Sequence, residues 1–358
     1  MKSTIEILKR ATDGHRVTCE EGLALFQDAS LTDLGVAADE FCRRIHPTMI
    51  RTYVVDRNIN YTNVCVSGCQ FCAFYREPGA PDAYVLSEEE IFNKIEEAIG
   101  LGATQILMQG GLHPELAIDY HEKMIRGIKE RFQVHLHSFS PPEVVHIARI
   151  SGLTVEQTLR RLRDAGLDSL PGGGAEILAQ GIRRRVSPRK CTSDEWIDVM
   201  RAAHHLDMPT TATMMFGYGE TYSDRIEHLS RIRDLQDETG GFTAFIPWTF
   251  QPENTAIGGM GVGGYEYLRT LAICRLFLDN VRNIQASWVT QGAKVGQVAL
   301  FFGANDLGGT MIEENVVAAA GANFRMTEDE IRLTIAEAGY IPCRRDTYYN
   351  LLEEPGRL

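Results

Sequence analysis

Three of the eight cysteines in this chain lie in one short run, Cys65-Val-Ser-Gly-Cys69-Gln-Phe-Cys72. Thiolates are soft ligands for zinc and for iron–sulfur clusters, and a C-x3-C-x2-C loop can bring three of them to one centre. A closed structural zinc site needs a fourth protein ligand. The next cysteine is Cys191, and no histidine or cysteine follows closely in the loop. Three cysteines can instead hold three irons of a [4Fe–4S] cube, leaving the fourth iron open to a cofactor or substrate. Phe71 and Phe74 flank Cys72, and aromatic cover of this kind limits solvent access to a cluster. The other five, Cys19, Cys42, Cys191, Cys274 and Cys343, are scattered singly and read as small buried apolar residues.

A loop of this kind needs a scaffold, and the chain supplies a repeating one. β-like runs at 58–64, 104–109, 133–139, 167–170, 210–216, 242–250, 283–289 and 298–304 alternate with amphipathic stretches at 88–101, 118–131, 154–165, 193–206, 222–239 and 265–282. Capping-box pairs mark helix starts: Ser87 with Glu90, Ser140 with Glu143, Thr154 with Gln157, Thr192 with Glu195. Parallel β-α units follow, and eight is the number that closes a barrel, although an open doubly wound sheet shares this spacing. The expected fold is α/β, a (β/α)8 TIM-type barrel over 51–307. A helical extension precedes it (1–50), and a second (308–358), opened by Thr327 with Glu330, packs on the barrel.

Period-two patterning then places polar side chains toward the axis. His135 and His137 share one face of their strand while Val134 and Leu136 share the other; Gln105 and Gln109, Thr211 and Thr213, and Gln285 and Ser287 alternate in the same way. A polar barrel interior suits a large polar ligand at the C-terminal ends of the strands. The second strand ends in Met108-Gln109-Gly110-Gly111, and two glycines there let a ligand approach the backbone. Gly259-Met-Gly261-Val-Gly263-Gly264 contains G-x-G-x-x-G, but Gln251 to Ile257 separate it from the preceding strand. It reads as a barrel loop rather than a dinucleotide site.

Charge and composition exclude other classes. With 36 basic against 48 acidic side chains the net charge is −12, which argues against a general nucleic-acid or anionic-membrane binder. No apolar run approaches the roughly 18 residues of a membrane span. Glu6 and Lys9 interrupt the N-terminal stretch where a signal peptide would be apolar. The expected setting is the cytoplasm, with no disulfide framework.

The cysteine loop after the first strand, the aromatic before its last cysteine and the glycine pair one unit later resemble the radical S-adenosylmethionine (SAM) superfamily. Asp56-Arg-Asn-Ile-Asn-Tyr-Thr-Asn-Val-Cys65, His137-Ser-Phe-Ser-Pro-Pro-Glu143, Asp168-Ser-Leu-Pro-Gly-Gly-Gly-Ala-Glu-Ile177 and Ile246-Pro-Trp-Thr-Phe-Gln-Pro252 are similar to its futalosine-pathway group. That group contains a cyclase of menaquinone biosynthesis, which this sequence resembles most, aminofutalosine synthase and a deazaflavin-precursor (FO) synthase subunit. The resemblance implies a [4Fe–4S] cluster held by Cys65, Cys69 and Cys72, and SAM whose methionine end meets Gly110 and Gly111. It implies reductive cleavage to a 5′-deoxyadenosyl radical, hydrogen abstraction from C4′ of dehypoxanthine futalosine, and attack of the carbon radical on the benzoate ring. A reductant such as a flavodoxin or ferredoxin is also implied.

The remaining roles are expectations. Gln109 joins the glycines as a cofactor contact, and Glu176 would accept hydrogen bonds from the cofactor ribose or stand as a solvated helix-start carboxylate. Arg185 and Lys190 would meet a carboxylate, within a basic run (Arg183, Arg184, Arg185, Arg189, Lys190) that otherwise reads as a solvated face. His135 and His137 are candidates for the final proton removal. Trp248 would contact substrate. The stretch 305–314, read as a loop after the last strand, would bring Asp306, Glu313 and Glu314 over the mouth.

Overall fold

The computed structural model describes residues 3–354. Helices Thr4–Thr12, Cys19–Asp28 and Leu31–Ile45 come first. The strands are β1 (Ile50–Val54), β2 (Asp56–Ile59), β3 (Gln105–Met108), β4 (His135–Ser138), β5 (Thr210–Phe216), β6 (Phe242–Thr249), β7 (Asn283–Ile284), β8 (Asp306–Gly309) and β9 (Ile341–Arg344). β1 and β2 are two halves of one strand about Val55, and every strand pair is parallel.

Pairing closes a ring. It runs β2–β3–β4, passes through bridges of His137 with Ser169 and Leu170 with Thr210, and continues β5–β6–β7. It returns through Gln285 with Asp306 and β8 with β1. The fold is therefore an eight-membered parallel barrel with helices on its outside, as expected. Ser87, Thr154, Thr192 and Thr327 each form the reciprocal capping box at the start of their helices, satisfying backbone N–H groups that the first helical turn leaves free. Among the described residues no helix is long and apolar enough to cross a membrane.

Three local expectations fail for physical reasons. The apolar run 298–304 is not the eighth strand: helix Trp288–Ala299 ends within it, and a turn follows. A short continuous apolar run does not distinguish a buried helix end from a strand. The eighth strand is β8, so Asp306 stands inside the barrel wall rather than in a loop over the mouth. Ser140 caps no backbone group; its hydroxyl donates to the Glu143 carboxylate at 2.6 Å.

The C-terminal segment also contributes a strand, since β9 pairs with β1 from Ile50–Ile341 to Tyr53–Arg344. The residues after β9 plug the N-terminal end of the barrel. Arg345 donates twice to Asp306, at 2.6 and 2.9 Å, Thr52 donates to the same carboxylate at 2.5 Å, and Thr347 donates to Gln105 at 2.7 Å. The Asp306 side chain is 0% exposed and that of Arg345 5%, so removing one partner would strand a buried charge. Asp306→Ala is expected to lower the unfolding free energy by about 3–5 kcal/mol in urea titrations; a loss under about 1 kcal/mol, typical of a surface pair, would contradict the plug.

Candidate active site

The cysteine loop continues the barrel ladder beyond β2 and β3. Gln109 N–H donates to the Ile59 carbonyl at 3.1 Å, Gly111 to Thr62 at 2.9 Å, and Val66 to Leu112 at 3.0 Å. This close approach explains the glycines. A Cβ on Gly111 would stand 2.2 Å from the Val64 carbonyl oxygen, and one on Gly110 would stand 2.6 Å from the Tyr61 ring. The pair seats the loop as well as opening backbone to a ligand. Ser67 braces it from within: its hydroxyl lies 3.2 Å from Cys69 Sγ and its N–H donates to Cys65 Sγ at 3.4 Å. Arg76 closes the far end by donating to the carbonyls of Ala73, Phe74 and Tyr75.

All three thiols line one cavity of about 240 Å3. Three thiols facing one cavity, with no histidine or fourth cysteine among its lining residues, are the donor set that a cluster with one open iron takes. Burial pushes the Cys69 thiol up to about 11 and raises Cys72 as well; bound iron would supply the positive charge that favours the thiolates.

The same cavity is also lined by Gly110, Gly111, Glu143, Glu176 and Lys190. Glu176 accepts from Lys190 at 2.9 Å and from Arg183 at 3.4 Å, which makes it a buried, paired carboxylate and not a solvated one. Glu143 is a residue the sequence reading passed over as a helix cap. Its carboxyl accepts from Gly110 N–H at 2.9 Å, Tyr61 hydroxyl at 2.9 Å and Ser140 hydroxyl at 2.6 Å, and burial pushes it up to about 7. Phe139 (φ 65°) and Glu176 (φ 43°) hold left-handed backbone beside the cavity. Such strain persists only where surrounding structure enforces it, and it clusters at ligand sites.

A second cavity, about 250 Å3, lies within the barrel and is lined by Asp56, Asn58, Gln105, His137, Thr211, Gln285 and Glu314 among others. Gln109, Gly173, Trp248, Val316 and Val317 line both cavities, so they mark the boundary between the two. Asn58 is 4% exposed; its amide donates to Glu314 at 2.7 Å, while its Oδ1 has no partner. A buried acceptor left open in a cavity wall is suited to a ligand's donor. Asp56, Asn58 and Asn60 alternate along the first strand, the same period-two signal seen elsewhere. Burial raises both acids of this chamber, Asp56 to about 6.

The other expected contacts are distributed unevenly. His137 faces the chamber, whereas His135 is not among its lining residues and meets the Tyr348 ring edge-on at 5.1 Å. Both imidazoles bond Ser169 Oγ, at 2.6 and 2.7 Å, and burial pushes His135 down to about 4 and His137 to about 3. They are therefore neutral at pH 7. Asp306 is the floor ion pair described above. Glu313 is likewise held away from both cavities by Arg57 and Lys94, at 2.7 and 2.8 Å, and it is its neighbour Glu314 that reaches the chamber. Arg185 contacts neither cavity.

Residues 59–232 match the Radical SAM superfamily, and residues 239–358 match the CofH/MqnC C-terminal region. The chain is 50% identical over 348 residues to the cyclic dehypoxanthine futalosine synthase of Halalkalibacterium halodurans, covering 97% of this chain and 94% of that one. The synthase of the same name from Streptomyces coelicolor is 48% identical over 351 residues, 97% of this chain and 88% of that one. A 5-amino-6-(D-ribitylamino)uracil–L-tyrosine 4-hydroxyphenyl transferase from Archaeoglobus fulgidus is 44% identical over 322 residues, 88% of this chain and 92% of that one. Among solved structures, methylornithine synthase superposes with a TM-score of 0.75 over 94% of this chain and 97% of that one; at 18% identity it supports the fold alone.

The histidine pair makes a prediction with a definite sign. Each folded-state value is depressed below the ordinary 6.5, so the stability it contributes is present above about pH 6.5 and is lost as pH falls toward 4 and 3. Between pH 7 and 5, His137→Gln is expected to lose about 2 kcal/mol less unfolding free energy than the parent chain. Equal losses in urea titrations of the two metal-free proteins would contradict a buried neutral imidazole.

Proposed function

The chain belongs to the radical S-adenosylmethionine superfamily, and on that premise we propose that it converts dehypoxanthine futalosine to cyclic dehypoxanthine futalosine. It is a radical SAM oxidoreductase whose cofactors are a [4Fe–4S] cluster and SAM. The observation that carries the specific reading is its near-full-length relationship to two synthases of that activity. The two adjoining cavities agree with it, one for a cofactor and one for a bipartite substrate. Menaquinone biosynthesis is the pathway this implies.

When bound, cluster and SAM together supply a 5′-deoxyadenosyl radical that abstracts hydrogen. The chain's own residues do the rest by holding and positioning. Cys65, Cys69 and Cys72 would ligate the cluster, while the Gly110 and Gly111 backbone, Glu143, Glu176 and Lys190 would receive the polar parts of SAM. Gln109 and Trp248 stand where the cavities meet, so the reacting ends would be brought together beside them. In the chamber, Asn58, Gln105, Gln285 and Thr211 offer hydrogen bonds to a sugar, and Trp248 offers a face to an arene. Cyclisation joins two parts of one molecule, so its rate depends on keeping both in contact and excluding water from the carbon radical. His137, neutral, facing the chamber and oriented by Ser169, would hydrogen-bond the substrate where the ring regains aromaticity; that step releases one proton and one electron, the electron being one that the cluster would take back.

A one-electron donor such as a flavodoxin or ferredoxin belongs to this reading, as does a cytoplasmic setting, which suits eight unpaired cysteines. The relationship to the tyrosine 4-hydroxyphenyl transferase favours a second reading. Incubating cluster-loaded protein with SAM and either dehypoxanthine futalosine or L-tyrosine plus 5-amino-6-(D-ribitylamino)uracil separates the two. The cyclic product from the first is expected, and 4-hydroxyphenyl transfer alone would refute the cyclase. Cys69→Ala is expected to lose iron and turnover together. Asn58→Leu should retain iron but lower kcat/KM by about tenfold, the scale of one unmade hydrogen bond in a buried site; an unchanged kcat/KM would remove Asn58 from the substrate site.

A further inference from the structure

Beside the cysteine loop lies a set of cations that no carboxylate among the described residues neutralises. Arg184, Arg185 and Arg189 are exposed, and among the described residues none of them pairs with a carboxylate, whereas Arg183 and Lys190 of the same run turn inward onto Glu176. Their placement is built. Arg189 donates to the Ser67 carbonyl at 3.2 Å, and its guanidinium occupies the space left by Gly68, where a Cβ would stand 2.1 Å from Nη2. Arg185 donates to the Gly219 carbonyl at 2.8 Å. Helix Gln180–Val186 and the loop share a hydrogen bond from Gln70 N–H to Val186, and Ile257 N–H donates in turn to Gln70. The segment after Ile257 carries Met260, 94% exposed.

We propose that Arg184, Arg185 and Arg189 form the docking face for a small acidic electron-carrier protein. The inference rests on the function proposed above, because a cluster behind Cys65, Cys69 and Cys72 must be reduced from outside. The carrier gives up one electron and the iron–sulfur centre gains it; no bond or proton is exchanged. Gly68, partly exposed, carries the chain surface directly over Ser67, which is buried and lies 3.2 Å from Cys69 Sγ. An acidic partner seated there is brought close to the cluster. Charge complementarity selects the partner's chemistry: on a chain of net charge −12, three exposed arginines within six residues of sequence run against the overall field, and rim charges of this kind steer encounter and set its salt dependence. Met260 adds an apolar contact at the rim.

Cluster-loaded protein and an acidic bacterial flavodoxin provide the test. Among the described residues Arg184 has no side-chain hydrogen bond or ion pair, so Arg184→Glu/Arg185→Glu tests the face while Arg189 keeps its hold on the loop. The variant is expected to bind flavodoxin about tenfold more weakly in calorimetry at low salt, with a flatter salt dependence and slower flavodoxin-driven SAM cleavage. Cleavage driven by titanium(III) citrate should be unchanged, and Lys123→Glu, on the remote helix Ile118–Arg131, should behave as the parent. Unchanged flavodoxin affinity, or an equal loss with titanium(III) citrate, would overturn the proposal. So would lost binding to phosphatidylglycerol vesicles with flavodoxin affinity intact, which would assign the face to a membrane. Arginine-dependent flavodoxin binding by a protein that cleaves no SAM would uphold the docking face and refute the enzymatic reading.

Discussion

The site depends on one close approach between backbones. Where β3 ends, Gly111 passes so near Val64 that any side chain would meet the carbonyl oxygen at 2.2 Å. The ladder between the first two barrel strands therefore runs on into the cysteine loop, through Gly111 to Thr62 and Val66 to Leu112. A loop tied to the barrel wall in this way cannot drift, and its three thiols keep a fixed relation to the axis. A glycine pair at a strand end is a weak signal alone. Here the pair is the joint between the scaffold and the cysteine loop.

Below that joint the barrel interior is polar, which is costly unless each group is satisfied. The chain meets the cost in two ways. At the N-terminal end, Asp306, Arg345, Thr52 and Gln105 with Thr347 satisfy one another, and the barrel is stoppered. Higher up the matching is incomplete: Asn58 keeps an open acceptor, above Asp56, which accepts from Gln105 and Met311. A closed floor below and an incompletely satisfied wall above leave one open direction, toward the thiols. That geometry suits a substrate whose reacting carbon is presented upward to the cofactor and whose remainder is shielded from water.

Local features were legible in the sequence and long-range ones were not. The cysteine loop, the glycine pair and four capping boxes each span a few residues, and each was readable from spacing. Asp306 and Glu313 were misjudged because their partners, Arg345, Arg57 and Lys94, come from elsewhere in the chain; a carboxylate's role follows from the cation it meets. The Ser140 and Glu143 pair has the spacing of a capping box, yet Glu143 is drawn inward by Gly110 and Tyr61, whose approach only the folded barrel creates. β9 was missed for the same reason, since its partner β1 lies nearly the whole chain away.

The central claim is that the barrel presents the substrate ribose, through the boundary at Gln109 and Trp248, to the cofactor held over the cysteine loop. Supplying dehypoxanthine futalosine deuterated at C4′ to cluster-loaded protein and measuring the mass of the 5′-deoxyadenosine formed tests it directly. One deuterium transferred per cyclic product is the predicted result; unlabelled 5′-deoxyadenosine accompanying that product would contradict it.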